Sequence, residues 1–368
     1  MSEQRLSAEH GTVCFLPDDR HGYFGWPSVA RTASGKLVAA ASGPRFDHVC
    51  PWGKTSIFES TDEGRTWIGP NVINNTPLDD RDAGIISLGG ERLLVSWFVY
   101  DVRSLFAWAR ESYKLSDDEI ARWQAVFDTW SDEVVRKWQG SWVRTSSDGC
   151  AWSDFYPVPV SAPHGPIRLA DGSLLYLGKE FPFHGVEPIG QILACRSTDD
   201  GKTWTTLGRV PLADDTHPDN FHEPHMVELP SGKLLGMIRY EYAKRPNEKY
   251  ISFSLFQTES EDGGKTWSPA KDLRRYGSPP HLIRHSSGAV VCVYSYRKPP
   301  LGHRVIISRD EGAVWSDEYI LRDDAPPRDH GYPASIELPS GEIFTVYYQR
   351  ADHEHKNCAI LWSRWRLP

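Results

Sequence analysis

The chain has 368 residues, a formal net charge of −8 and 12% aromatic residues, among them 15 tryptophans. Mild acidity and the lack of a Lys/Arg-rich run argue against a nucleic-acid partner. No apolar stretch approaches the ~20 residues of a membrane-spanning helix, and the start, MSEQRLSAEHGTV, shows no secretory signal, so we expect no membrane partner and a cytoplasmic location.

The first repeated element along the chain is a short turn that ends in glycine and joins two β-patterned runs, as in HMVELPSGKLLGMIR. Six glycines end such turns: Gly35, Gly90, Gly172, Gly232, Gly288 and Gly341. Their spacing is regular except for one longer gap between the second and the third. Each unit then reads strand, turn, strand, loop, strand, Asp box, strand, and only the last unit has no recognisable box.

The Asp box is an octapeptide of the form Ser-x-Asp-x-Gly-x-x-Trp. It occurs at 60–67, 197–204, 260–267 and 308–315, with a shorter SSDGCAW at 146–152. Its carboxylates and hydroxyls are groups that catalytic and metal sites use, but an active site is not repeated five times in one chain. In a turn, Ser and Asp can bond the local backbone, Gly permits a positive φ and Trp can pack between blades. The boxes are therefore predicted to be scaffold.

Six copies of a four-stranded unit predict an all-β fold, a six-bladed β-propeller, because radial repetition protects most strand edges. We expect one domain over 1–368. The strand that closes the last blade is predicted to come from GTVCFL near the N-terminus or from AILWSRW near the C-terminus. The six cysteines are scattered without metal-ligand spacing, so Cys195 and Cys292 are predicted to be buried reduced thiols, and we expect no metal and no cofactor.

The longer gap indicates an insertion of roughly 30 residues in the second unit. Apolar residues recur at helical spacing within 115–140, and Ser116 with Glu119 forms a capping-box pattern. We therefore predict a helical insertion over 103–139, on the same face as the active-site loops. Its aromatic stripe has to bury against this propeller or against a second subunit, so a homo-oligomer is one expectation.

Polar segments gather on the face opposite the turns and boxes. They lie before each first strand (DDRDAG, APHGP, NFHEPH, SPPHL, DHGYP) and after second strands (PRFDHVCPWG, IRYEY, YRKPPLGHR). Ligands of propellers commonly bind at such a mouth, and we expect a carbohydrate there. The candidate substrate contacts are Trp26, Asp80, Arg81, His164, His222, His225 and His281.

These segments resemble the sialidase (neuraminidase) superfamily, whose members carry Asp boxes on six-bladed propellers. HEPHMVELPSGKLLGMIR is similar to the segment in which a Glu opens a strand and an Arg follows, which places those roles on Glu223 and Arg239. GYPASIELPSGEIFTVYY is similar to the segment with the nucleophilic tyrosine, here Tyr332. YRKPPLGHRVIISRDEG is similar to the segment with another substrate-binding arginine, either Arg297 or Arg304.

The chain departs from this family in the first blade. Sialidases typically carry an Arg-Ile-Pro motif whose arginine holds the substrate carboxylate, and this chain reads Gly25-Trp26-Pro27 instead. In PRFDHVCPWG, the loop that supplies the acid/base in the family, Asp47 and His48 are equally well placed. We therefore expect poor activity on ordinary sialosides.

The resemblance implies a glycoside hydrolase that removes a terminal acidic sugar with a Tyr332/Glu223 pair and an acid/base at Asp47 or His48. Two alternatives stay open. A polysaccharide lyase would use a Tyr/His pair on a uronic-acid glycan, which the many histidines favour. A non-catalytic propeller would bind glycans without turnover, because Asp boxes also occur in proteins that are not enzymes.

Overall fold

The computed structural model describes residues 4–181, 189–242, 249–327 and 329–368. These residues form six mainly antiparallel sheets, in chain order, and the first strands of neighbouring sheets pack against one another. The predicted all-β, six-bladed propeller with a helical insertion in its second blade is confirmed.

Two short N-terminal strands, β1 (Gln4–Arg5) and β2 (Ala8–Cys14), precede the first blade. Blade 1 contains β3 (Tyr23–Arg31), β4 (Leu37–Arg45), β5 (Thr55–Ser60) and β6 (Ile68–Asn74). Blade 2 contains β7 (Asp79–Gly89), β8 (Arg92–Tyr100), β9 (Gly140–Ser146) and β10 (Tyr156–Val158). Blade 3 contains β11 (Val160–Ser161), β12 (Ile167–Arg168), β13 (Leu174–Glu180), β14 (Ile192–Ser197) and β15 (Thr205–Arg209).

Blade 4 follows a short 3-10 helix (Pro218–Asn220) and contains β16 (Phe221–Glu228), β17 (Leu234–Tyr240), β18 (Ser254–Ser260) and β19 (Lys271–Tyr276). Blade 5 contains β20 (Pro280–Arg284), β21 (Val290–Tyr296), β22 (Gly302–Ser308) and β23 (Tyr319–Arg322). Blade 6 contains β24 (Gly331–Glu337), β25 (Ile343–Arg350) and β26 (Cys358–Trp365).

The ring closes through the N-terminal segment. Strand β2, which includes most of GTVCFL, pairs antiparallel with β26 and becomes the outer strand of blade 6. AILWSRW lies in β26 and is the third strand of that blade, so the first of the two predicted closures is the one found. Strand β1 adds to blade 5 by pairing parallel with β23.

The Asp boxes hold the turns between third and fourth strands. Asp262 accepts hydrogen bonds from the backbone N–H of Thr266 at 2.9 Å and from its hydroxyl at 2.7 Å, while Ser260 donates to Asp262 at 2.9 Å. The box also packs on the preceding blade: the Trp67 ring of blade 1 lies 6.2 Å from the Phe344 ring of blade 6. These contacts agree with the scaffold role predicted from the repeats.

The insertion between β8 and β9 consists of a 3-10 helix (Val102–Leu105) followed by α1 (Phe106–Ser112), α2 (Asp117–Phe127) and α3 (Asp132–Trp138). Trp123, Phe127 and Trp130 are almost fully buried in the core shared with blades 1 and 2, so the aromatic stripe packs on this propeller. Ser116 caps α2 as predicted, but the Glu119 carboxylate forms an ion pair with Arg20 instead of completing the capping box.

None of the described helices is long and apolar enough to cross a membrane. All six cysteines are free thiols, and Cys195 and Cys292 are buried, as expected for small apolar side chains in strands. The cytoplasmic location and the homo-oligomer stay predictions.

Candidate active site

Four first strands carry one polar or aromatic side chain each into a single pocket. The residues are Trp26 in β3, Asp82 in β7, Glu223 in β16 and Tyr332 in β24, with φ between 47° and 53°. Each lies at a β-bulge, where the pairing register with the second strand shifts. Non-glycine residues with such φ values are strained, and bulges often aim side chains at active sites. The pocket has a volume of about 720 Å³ and opens opposite the turn glycines.

Tyr332, Glu223 and Arg239 form one hydrogen-bonded group in this pocket. The Tyr332 hydroxyl donates to Glu223 Oε1 at 2.6 Å, and Arg239 Nη1 donates to Glu223 Oε2 at 2.6 Å. The same Nη1 lies 3.2 Å from the Tyr332 hydroxyl oxygen, while Nη2 donates to Glu241 Oε2 at 2.6 Å. The three residues that the resemblance singled out are thus joined although the chain separates them widely.

The charges in this group are set by burial and by Arg239. Burial alone would raise the pKa of Glu223, but the guanidinium of Arg239 and the bond from Tyr332 outweigh it, and the pKa is lowered. Burial and the neighbouring carboxylate raise the pKa of Tyr332 well above its ordinary value. At neutral pH the pair is therefore a neutral phenol that donates to an ionised carboxylate.

His48 lies on the pocket wall and pairs with Asp329. His48 Nδ1 contacts Asp329 Oδ2, which also accepts from the Tyr23 hydroxyl at 2.5 Å, and Oδ1 accepts from Tyr348 at 2.8 Å. Burial disfavours charge on Asp329, but His48, together with Arg297 and Tyr23, lowers its pKa. Asp329 is therefore an ionised carboxylate that orients the imidazole through Nδ1.

Asp82 is a second carboxyl group in the pocket, and it was not among the residues predicted from the sequence. Burial raises the pKa of Asp82 to about 7. The guanidinium of Arg81 acts against this increase, and the negative charge of Glu223 adds to it. The Asp82 carboxyl group has no hydrogen-bond partner among the described residues. Asp82 can therefore hold or release a proton near neutral pH beside the Tyr332/Glu223 pair.

Arg297 brings an available guanidinium to the pocket. Its Nε donates to the Ser278 carbonyl at 3.4 Å, and within the described part of the chain neither Nη group has a hydrogen-bond partner. The ring of Phe253 lies 5.9 Å from the guanidinium of Arg297 and 5.0 Å from that of Arg239. Phe253 therefore supports both arginines from one side and leaves donors of Arg297 open to a ligand.

Trp26 occupies the place of the first-blade arginine, but it is too buried to stack on a sugar. Its side chain is 1% exposed, and the guanidinium groups of Arg45 and Arg81 lie 5.0 and 4.6 Å from its ring. Arg45 is fully buried in an ion pair with Asp79. Arg81 also donates to Asp79 and to the His48 carbonyl, and it lines the pocket. Arg81 thus places positive charge beside Trp26 at the wall of the pocket.

Six of the predicted site residues do not line the pocket, and Asp47, Asp80 and Arg304 are three of them. Asp47 turns away from it and caps the backbone N–H of its neighbour His48 at 2.8 Å. Asp80 is fully buried and accepts from Thr76 at 2.7 Å and from Trp97 at 3.0 Å. Arg81 and Asp82, at the bulge that follows, both line the pocket. Arg304 is also buried, and its Nη groups donate to backbone carbonyls within blade 5.

The predicted histidines divide between two cavities. His222 lines the pocket, where it contacts Lys179 Nζ at 3.2 Å, and burial together with this ammonium group lowers its pKa to about 4. His164, His225 and His281 lie in a second cavity, nearer to the turn glycines. The three are therefore not contacts of a substrate in the pocket.

Asp82 was missed, although the repeats mark the segment that contains it. Trp26, Glu223 and Tyr332 each stand nine residues before the turn glycine of their unit, and Asp82 stands eight before Gly90. An alignment of the units on their glycines places Arg81 at this position, with Asp80 and Asp82 one residue to either side, so it marks the segment and not the residue. Asp329 precedes His330 in the quoted DHGYP, but nothing local marks its partner, since His48 is 281 positions away.

A six-bladed propeller built on Asp boxes, with such a pocket at one end, belongs to the sialidase-like class. The chain matches the BNR repeat-like domain family over residues 126–345, and it belongs to that family. A search of curated protein sequences finds no match.

Solved structures give the same fold. A protein of unknown function from Dyadobacter fermentans DSM 18053 aligns over 100% of both chains, with 19% identity and a TM-score of 0.76. Hadza microbial sialidase Hz136 aligns over 97% of this chain and 68% of its own, with 16% identity and a TM-score of 0.65. The Ruminococcus gnavus intramolecular trans-sialidase, in complex with oseltamivir carboxylate, aligns over 97% of each chain, with 15% identity and a TM-score of 0.62. The chain therefore shares the fold of these sialidases at low sequence identity.

Proposed function

We propose that the protein is an exo-acting glycoside hydrolase of sialidase type that removes a terminal acidic sugar. The observation that supports this most strongly is the 2.6 Å hydrogen bond from the Tyr332 hydroxyl to Glu223 in the pocket, with Arg239 bonded to both. A phenol beside an ionised base is an activated nucleophile. A neutral phenol is also suited to a substrate with a carboxylate near its anomeric carbon, since a carboxylate nucleophile would be repelled.

In the first step the Tyr332 oxygen attacks the anomeric carbon while Glu223 accepts the phenol proton. The bond from that carbon to the leaving oxygen breaks, and the leaving oxygen takes a proton from an acid. Arg239, 3.2 Å from the phenol oxygen, stabilises the negative charge that develops there. In the second step water attacks the same carbon, the bond to Tyr332 breaks, and Glu223 returns the proton to the phenol.

We assign the acid/base role to His48. Protonated His48 gives its Nε2 proton to the leaving oxygen and later takes a proton from the attacking water. The ionised Asp329 bonds to Nδ1 and so orients the ring for transfer at Nε2. Of the two residues that the sequence left open, His48 lines the pocket and Asp47 does not.

The preference for an acidic sugar rests on Arg297. Its Nη groups are open, and a planar guanidinium binds a carboxylate through two parallel hydrogen bonds. The first-blade arginine of the family is absent, and Arg81 reaches its place with part of its guanidinium already bonded to Asp79. A carboxylate is therefore bound by a different set of arginines here, and we expect ordinary sialosides to be poor substrates.

The test is a screen of 4-methylumbelliferyl glycosides of sialic acids, deaminated keto-sugar acids and uronic acids, read by fluorescence and by absorbance near 235 nm. We expect hydrolysis of an acidic glycoside other than a common sialoside, and no hydrolysis by Tyr332→Phe. An unsaturated product that absorbs near 235 nm would identify a lyase instead. Binding without any product would identify a glycan-binding protein.

A further inference from the structure

The second cavity lies around the same axis, between the active-site pocket and the turn glycines. Its volume is about 460 Å³. Its wall carries three histidines and three arginines: His164, His225, His281, Arg31, Arg168 and Arg284. This cavity shares no residue with the active-site pocket, so it can be tested separately.

The arginines occupy one position of the repeat. Arg31, Arg168 and Arg284 each stand four residues before the turn glycine of their unit, in blades 1, 3 and 5. Alternate blades thus carry an arginine at the same level of the cavity wall, and the guanidinium groups of Arg31 and Arg168 lie beside turn glycines. Blades 2, 4 and 6 carry Ile86, Glu228 and Glu337 at this position.

The two glutamates do not neutralise these arginines. Glu228 accepts a hydrogen bond from the Ala170 N–H at 2.6 Å, and Glu337 accepts from the Ser286 N–H at 2.7 Å and from its hydroxyl at 2.5 Å. Each therefore holds the turn of the preceding blade. Across the described residues, the side chains of Arg31, Arg168 and Arg284 form no hydrogen bond and no ion pair, so their donors are open to an anion.

The histidines add hydrogen-bond donors at the base of the cavity. His225 Nδ1 accepts from the Leu282 N–H at 3.0 Å, and His281 Nδ1 accepts from the Ser335 N–H at 3.2 Å. A backbone N–H can only donate, so both neutral rings carry their proton on Nε2, which faces away from the strands. Burial lowers the pKa of all three histidines and keeps them neutral.

His164 supplies a buried polar atom without a partner. Its side chain is 2% exposed and its Nδ1 lies 3.1 Å from the Ser28 hydroxyl. Its Nε2 is buried and has no hydrogen-bond partner among the described residues. An orphaned buried polar atom is unfavourable, so a ligand that satisfies it gains affinity.

A metal ion does not fit these histidines. The rings of His225 and His281 stack face to face at 4.1 Å with 18° between their planes, so their Nε2 atoms do not converge on one point. Over the parts of the chain that the structure describes, no group of three His, Cys, Asp or Glu side chains is placed to hold a metal. The wall also includes Glu337, whose carboxylate is bonded to Ser286, and the other charged side chains on it are the arginines, which suit oxygen acceptors.

We propose that this cavity binds a small polyvalent anion that carries several carboxylate or phosphate oxygens. The guanidinium groups of Arg31, Arg168 and Arg284 bind the charged oxygens of the anion. The imidazole N–H groups donate hydrogen bonds to the oxygens of the anion that reach deepest into the cavity. The proposal does not rest on the proposed function, because it involves neither Tyr332 nor Glu223.

The test is isothermal titration calorimetry of the full chain with citrate and with inorganic phosphate at low ionic strength. We expect the wild type to bind at least one of them, and the triple variant Arg31→Gln, Arg168→Gln, Arg284→Gln to bind it about 100-fold more weakly or worse. Arg65→Gln is the matched control, because it removes an exposed arginine on the same face, outside the cavity, and should change nothing. Tyr332→Phe should bind the anion as the wild type does.

If the triple variant does not fold, Arg168→Gln and Arg284→Gln are made singly, since both side chains are exposed. Each should weaken binding about tenfold. Tighter binding of citrate would indicate a polycarboxylate and tighter binding of phosphate a phosphorylated ligand, and either result supports the proposal. No binding of either probe by the wild type, or equal binding by the wild type and these variants, would overturn it.

Discussion

The Tyr332→Phe variant removes one oxygen atom from the centre of the pocket and leaves the ring in place. The ring keeps its neighbours Trp26 at 6.3 Å and Tyr348 at 5.9 Å. The lost bonds are the 2.6 Å bond to Glu223 and the 3.2 Å bond from Arg239. Glu223 keeps its 2.6 Å bond with Arg239, so no buried charge loses its only partner. We therefore expect a loss of about 1 kcal/mol in the free energy of unfolding.

The effect on catalysis should be far larger than the effect on stability. Without the phenol oxygen no covalent intermediate can form, and kcat should fall at least about 1000-fold, which corresponds to roughly 4 kcal/mol of transition-state stabilisation. Glu223→Gln should lower kcat by a similar factor, because it removes the base that accepts the phenol proton. The double variant should be little worse than either single one, since the two residues act as a unit.

The assay is the steady-state rate on the best glycoside from the screen, together with thermal unfolding of each variant. Tyr347→Phe is the matched control: Tyr347 is buried, its hydroxyl bonds to Ser363 at 2.8 Å, and it does not line the pocket. This variant should lose similar stability and keep its kcat. The reasoning is refuted if Tyr332→Phe retains more than about a tenth of kcat, or if Tyr347→Phe loses as much activity.

Four further outcomes are expected. Arg297→Gln should lower kcat/KM on an acidic glycoside about 10- to 100-fold, whereas Lys298→Gln, the same charge change next to it, should not. His48→Ala should slow substrates with poor leaving groups far more than activated aryl glycosides, which need little acid assistance; equal losses on both would contradict the assignment. Asp82 has a pKa of about 7 when folded and an ordinary one when unfolded, so its protonation stabilises the fold, and the stability it contributes is lost as pH rises from about 4 to 7. Asp82→Asn should therefore gain roughly 2–4 kcal/mol relative to the wild type between pH 4.5 and 8 in urea titrations, and a constant difference would contradict this pKa. Asp199→Ala should cost about 1–2 kcal/mol of stability, because it removes the acceptor that holds a box turn, with KM unchanged in steady-state assays.

The architecture could be predicted because the signals repeat. A turn glycine or an Asp box carries little information once, but six glycines and five boxes define strand order, blade number and the face that is left for function. The insertion was also visible, as the one long gap in this spacing. What the helices pack against was not visible, since Trp123 meets Trp52 and Phe46 of blade 1 only in the folded chain.

The site was predicted only in part, because its geometry depends on single-residue register. Asp80 and Asp82 stand two residues apart, which regular alternation would place on the same face of the strand, and Asp47 and His48 are adjacent in a loop, so composition separates neither pair. Asp80 and Asp82 differ because of the bulge between Arg81 and Gly84, which adds one residue to the first strand of blade 2, as the bulge between His222 and His225 does in blade 4. Arg297 and Arg304 could not be separated either, because both stand in the same quoted segment. The folded chain places Arg297 at the pocket and Arg304 inside β22.

The most direct test of the central claim is to trap the glycosyl-enzyme intermediate. The protein would be incubated with an activated, fluorinated analogue of its best acidic substrate and examined by intact-mass and peptide mass spectrometry. The account predicts a mass increase of one fluorinated glycosyl group on the peptide that contains Tyr332, absent from Tyr332→Phe and slow to form in Glu223→Gln. A covalent label on Asp82 or Glu223, or turnover of the analogue with no adduct on Tyr332, would contradict it.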